Sequence, residues 1–154
     1  MAIEETGGLV NDLRHGDWEF TYEGGAPRVT SRYVAGEAEG RWCFRHENGK
    51  KAAEGSFTAG KAQGPWTYWH ENGQKWFEGS FVDGIENGPF STWYANGQKE
   101  CEGEFSRGVP SGTWRRFYES GRKWQEGPFV NGEKNGKWIE WGEDGAVLRT
   151  PKFG

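Results

Sequence analysis

The chain is short of the residues that build an ordinary core. Only 33% of its 154 residues are hydrophobic, and it has one Met and two Cys. Leu, Ile and Val are sparse, so a two-layer core held by aliphatic packing is not expected. No run of 18 apolar residues exists, so no helix is expected to span a membrane. An excess of positive charge is also missing, because the formal net charge is −4. That leaves no basic face for DNA or RNA and disfavours adsorption to anionic lipid. The opening residues, Met1-Ala2-Ile3-Glu4-Glu5, are acidic and lack the apolar stretch of a secretory signal, which makes a cytoplasmic location the expectation. There is no G-x-S-x-G, no P-loop and no Cys–His pairing, so neither a catalytic residue nor a cofactor is expected. Cys43 and Cys101 fall about five strands apart in the register derived below, roughly 24 Å. A disulfide needs Cα atoms within about 7 Å, so free thiols are expected.

What the chain has in abundance is glycine and aromatic residues: 26 Gly, ten Trp, ten Phe and five Tyr. A mean hydropathy of −0.96 would suit a disordered chain. The aromatics, however, recur in strict register. A Gly stands at positions 16, 40, 64, 88, 112 and 136, each 24 residues after the last. A fixed period of this size marks a stacked repeat architecture.

One unit, Gly64 to Asn87, shows the pattern. Trp66, Tyr68 and His70 alternate with Thr67 and Trp69, a period of two that reads as a strand. Asn72-Gly73 follows, which predicts a two-residue type I′ turn. The return strand is Lys75 to Phe81, and a second turn containing Gly84 leads onward. A two-residue turn sets Trp69 opposite Trp76, Tyr68 opposite Phe77, Thr67 opposite Glu78 and Trp66 opposite Gly79. A large ring lying over a strand glycine restores the contact that glycine lacks. Residues 1–8 read as a polar tail. Residues 9–154 read as one repeat domain: a half unit at 9–15, units from 16, 40, 64, 88 and 112, and a truncated unit at 136–154. The fold class expected is all-β, an elongated single-layer antiparallel meander of stacked hairpins.

The signature G-x-W-x-x-[YWF]-x-x-N-G-x-K-x-x-E-G-x-F-x-x-G resembles the MORN repeat, in its bacterial N-G-x-K variant. In the third unit Gly64, Trp66, Trp69, Asn72, Gly73, Lys75, Glu78, Gly79, Phe81 and Gly84 match it. The resemblance implies a twisted antiparallel meander with one hairpin per repeat. It implies scaffolding, protein-binding or membrane-targeting roles, and some bacterial relatives are antitoxin-like.

Several columns of residues are candidates for chemistry. Glu54, Glu78, Glu102 and Glu126 recur about 10 Å apart, as do Lys51, Lys75, Lys99 and Lys123. An active site occurs once, whereas these recur in every central unit. They read as hydrogen-bonded and solvated rows rather than as a hydrolase or lyase site. His46 and His70 share one column with Tyr22, Tyr94 and Tyr118. Two His without further ligands do not make a metal site, and none is expected. Trp18, Trp42, Trp66, Phe90, Trp114 and Trp138 share a face with Tyr33, Phe57, Phe81, Phe105 and Phe129, and read as packing. The opposite face is expected to carry a strip of Trp69, Trp76, Trp93, Phe117, Trp124 and Trp141. Arg45, Ala52 and Glu100 occupy the same columns elsewhere. Such variable aromatics on a constant frame suit a partner-binding surface. The partner expected is another protein, with Trp76 and Trp124 as anchors. The chain itself is expected to be a monomer or a weak dimer through its exposed edge strands.

Overall fold

A computed structural model describes residues 4–154. Thirteen strands follow one another in chain order across an antiparallel meander, and three short extensions bring the sheet to 16 strands. Its end strands, Glu4–Val10 and Val147–Arg149, do not meet, so the sheet is open. A small second pairing, Gly136–Lys137 with Lys152–Phe153, finishes the last unit. No helix occurs among the described residues. Residues 4–8, expected as part of a tail, instead belong to the strand Glu4–Val10, with Glu4 opposite Thr21 and Gly7 opposite Trp18. Gly7 accounts for this: it supplies the bare surface that the ring of Trp18 covers, as a glycine does in later units.

Each hairpin is joined by two unlike turns. The left-handed two-residue turn predicted at Asn-Gly is found at the other end of the unit. At Asp83-Gly84, φ is 53° and 81°, between the paired residues Val82 and Ile85. At Asn72-Gly73 only the glycine is left-handed, with φ of 93°. Here the loop has three residues, closed by the His70 N–H on the Gln74 carbonyl and the Gly73 N–H on the His70 carbonyl. Asn72 serves through its side chain. Its Oδ1 accepts from the Gln74 N–H at 2.9 Å, and its Nδ2 donates to the Ala95 carbonyl of the next hairpin at 2.6 Å. Asn48 and Asn96 do the same.

The three-residue loop shifts the outer register. Trp66, Thr67 and Tyr68 do oppose Gly79, Glu78 and Phe77, but Trp69 opposes Lys75 rather than Trp76. Likewise Phe117 opposes Lys123 rather than Trp124. In each case the extra residue, Trp76 or Trp124, is bulged out of the ladder, which re-aims its side chain.

The core is one face of the sheet. Trp18, Trp42, Trp66, Trp114 and Trp138 are buried there. They alternate edge-to-face with the return-strand rings: Trp42–Phe57 and Phe57–Trp66 at 5.1 Å, Phe105–Trp114 at 5.2 Å, Phe129–Trp138 at 5.3 Å. Edge-to-face contact at this spacing is the favoured geometry for such rings. Four of these indoles, Trp18, Trp66, Trp114 and Trp138, rest on a glycine of the preceding strand rather than on the residue opposite them across their own hairpin. Trp66 opposes Gly79 but covers Gly55 of the preceding hairpin, and Trp114 covers Gly103. A bulge at Gly64, whose φ is 70°, swings the ring into place. The indole N–H of Trp66 then donates to the Ser56 carbonyl. Stability therefore comes from contacts between hairpins, as a repeat array requires.

Candidate interaction surface

The two faces of the sheet differ in chemistry. On the charged face, each of the four central repeats carries a Lys and a Glu three residues apart. Lys99 Nζ donates to Glu102 at 2.7 Å and Lys123 Nζ to Glu126 at 2.6 Å, while Lys75 reaches Glu78 at 3.2 Å. Arg115 bridges Glu102 and Glu126, and Arg41 pairs with Glu54. The lysines hold the carboxyls of Glu54, Glu102 and Glu126 below the usual carboxylate range, with the arginines adding to the effect. Every glutamate of the column is thus an acceptor for neighbouring cations, a structural role repeated unit by unit.

The lysines also cover rings. Lys51 lies 5.7 Å from the ring centre of Trp69, Lys75 5.6 Å from Trp93 and Lys123 5.5 Å from Trp141. Trp69, Trp93, Phe117 and Trp141 are half-buried on this face. Their backbone carbonyls are also acceptors for the Tyr/His column. His46 and His70 meet the carbonyls of Trp69 and Trp93 at 2.8 and 2.9 Å, and Tyr94 and Tyr118 donate to those of Phe117 and Trp141 at 2.8 Å. A carbonyl only accepts, so each imidazole presents Nε2–H. Imidazole and phenol share the column because both place one donor at the same reach. Among the described residues no three His, Cys, Asp or Glu side chains converge to hold a metal ion. Cys43 and Cys101 are free thiols, and burial raises the Cys101 pKa.

Trp76 and Trp124 stand apart from the other four. The bulges turn them to the aromatic face, where Trp76 meets Tyr68 edge-on at 5.7 Å and Trp124 lies 6.0 Å from Tyr118. The single strip expected from the sequence is therefore divided between faces: Trp69, Trp93, Phe117 and Trp141 on one, Trp76 and Trp124 on the other. Simple alternation along a strand could not reveal this, because the bulge adds a residue. A signal was nonetheless present. In the four central hairpins one polar or basic residue, Lys50, Gln74, Gln98 or Arg122, stands between the turn glycine and the Lys that begins the return strand, a loop too long for a two-residue turn.

The column that holds Trp76 alternates in size. Ala52-Ala53 and Glu100-Cys101 are followed one repeat later by Trp76-Phe77 and Trp124-Gln125. Grooves of about 420 and 390 Å³ lie at these pairs, where Ala53 and Cys101 are small. The first is lined by Ala52, Ala53, Trp66, Tyr68 and Trp76; the second by Cys101, Trp114, Arg116 and Trp124 among others. Trp76 is 47% exposed and Trp124 37%, on a face whose repeat-opening Trp rings are buried. Arg116 stacks its guanidinium 5.8 Å from the Trp124 ring.

Four consecutive stretches, residues 38–59, 62–83, 86–106 and 110–131, match a family model described as a MORN repeat variant. No curated protein matches the chain.

Proposed function

The chain belongs to the MORN repeat variant family, whose repeats are non-catalytic interaction modules, and from that premise we propose that it is a scaffold that binds another protein on its aromatic face. The observation that carries this reading is the pair of exposed indoles, Trp76 and Trp124, each beside a groove, the first over Ala52 and Ala53 and the second over Cys101. The two sites are two repeats apart, about 19 Å at strand spacing. They suit one partner segment that seats two apolar side chains at that separation. Exposed Trp beside a pocket is the usual composition of an interface hot spot. Trp93, Phe117 and Trp141 lie outside this surface, on the other face, with lysines over Trp93 and Trp141; Trp69 carries Lys51 over its ring and also lines the first groove.

The test is a pull-down from native host extract with wild type, Trp76→Ala and Trp124→Ala in parallel. A partner should be recovered by wild type and weakened by about 2 kcal/mol or more by either variant, with melting temperature unchanged. Equal recovery by all three proteins would rule the surface out. A net charge of −4 speaks against an anionic bilayer as the partner. Flotation with phosphatidylserine vesicles should leave the protein unbound.

A further inference from the structure

The turn edge opposite the Asn-Gly loops carries a row of aliphatic side chains that the aromatic face does not use. Val82 and Ile85 flank the turn Asp83-Gly84, and Ser106 and Val109 flank Arg107-Gly108. Val82, Ile85 and Val109 are 46, 49 and 40% exposed. The row is continuous, because each side chain leans on the next turn. A Cβ on Gly108 would meet Ile85 at 3.0 Å, and one on Gly132 would meet Val109 at 3.0 Å. The turns themselves are tied together. The Asp83 N–H donates to Gln63 Oε1, and the Arg107 N–H to Asn87 Oδ1. The edge is thus a fixed surface.

Two charges sit at the tips of these turns. Asp83 has φ of 53° and Arg107 φ of 51°. The equivalent turns hold Ala35 and Ala59 at φ of 48°, so the turn sets this conformation and accepts an ordinary side chain in it. Neither side chain has an ion-pair partner among the described residues. Within the chain the two turns are two strands apart, about 10 Å.

We propose that this edge pairs with the same edge of a second copy of the chain about a two-fold axis between the strands of Ile85 and Ser106. A two-fold interface must be self-complementary, with residue i meeting j and j meeting i. That axis sets Asp83 opposite the other copy's Arg107, twice, and Val82 opposite its Val109, with Ile85 between. It joins opposite charges and encloses the aliphatic side chains. The contact spans only four strands, so sheet twist does not carry the copies apart within it, and the small area makes a weak, concentration-dependent dimer. The end strands are not involved, and both aromatic faces stay open.

Sedimentation equilibrium over a concentration series tests this. Wild type should rise from the 17.4 kDa monomer towards twice that mass. Asp83→Arg and Arg107→Asp should each weaken association about tenfold or more by setting like charges opposite. The double exchange D83R/R107D should restore it. Both residues occupy equivalent turns, so each substitution places a side chain where the fold already accepts it, and circular dichroism should be unchanged. Ile85→Glu should abolish association. A monomer at about millimolar concentration, or a dimer indifferent to both single charge variants, would overturn the proposal.

Discussion

Trp66 lies on Gly55 of the preceding hairpin so closely that a β-carbon there would stand 2.0 Å from the indole ring. Gly55 is required for space, whereas Gly64, with φ of 70° and no atom within 4 Å of its added carbon, is required for conformation. Gly55→Ala should cost about 3 kcal/mol, as severe overpacking does. Gly64→Ala should cost about 1–2 kcal/mol through left-handed strain. Trp66→Leu separates the two in chemical denaturation. In that background the Gly55→Ala penalty should shrink and the Gly64→Ala penalty should persist.

The fourth unit opens with Phe90 where other units have Trp, and the chain compensates one hairpin earlier. The smaller ring leaves Gly79 bare, and Phe77 of the same strand as Gly79 folds over it, its ring 2.7 Å from where a β-carbon would stand. Phe77 also bridges Phe81 and Phe90, at 6.3 and 5.5 Å, and so repairs the aromatic ladder. Ala53 and Cys101 hold the same column where a Trp follows. Phe90→Trp alone should destabilise by about 1–3 kcal/mol through collision with Phe77. Combined with Phe77→Ala it should recover at least about 1 kcal/mol of the summed single costs. Additive losses in a double-mutant cycle would refute the compensation.

The sequence displays the frame of this fold openly and its junctions poorly. The 24-residue period, the meander, the inner register from Trp66 to Tyr68 and the packing columns all follow from alternation and spacing. The position of Trp76 does not, because alternation assigns faces only while the ladder is unbroken, and one added loop residue reverses the assignment. The Asn-Gly pair misleads for a related reason. Asparagine tolerates left-handed φ, yet here it is used for two side-chain hydrogen bonds to backbone, one of them 23 residues along the chain. That partner becomes adjacent only when the hairpins stack. The grooves over Ala52-Ala53 and Glu100-Cys101 also depend on stacking, since their walls come from different hairpins.

The Tyr/His column staples each hairpin to the next by one donor on one carbonyl. Tyr118→Phe should therefore cost about 1 kcal/mol, the usual net value of one hydrogen bond, by removing the donor to the Trp141 carbonyl. His70→Tyr should be tolerated within about 0.5 kcal/mol, because neighbouring units already place a phenol there. His70→Phe should behave like Tyr118→Phe. Thermal denaturation of the three variants checks this, and an undiminished His70→Phe protein would remove the staple from the account.

The carboxylates of the charged face should set the acid limb of stability. Glu54, Glu102 and Glu126 are held below the ordinary carboxylate range by Lys51, Lys99 and Lys123 first, with Arg41 and Arg115 adding to it. The fold therefore favours their ionised forms. That contribution is complete above the unfolded value of about 4.3 and is lost as pH falls through the lowered folded values. Glu78 differs in its surroundings: opposite it on the two neighbouring strands stand Thr67 and Ser91, leaving Lys75 as its one cation, and its side chain is 49% exposed. Unfolding free energy measured between pH 7 and pH 3 should drop for wild type. The triple replacement of Glu54, Glu102 and Glu126 by Gln should start lower at pH 7, by about 0.2–1 kcal/mol per partly exposed site, and should fall less steeply. A triple variant that keeps the full wild-type acid slope would show that these pairs do not govern it.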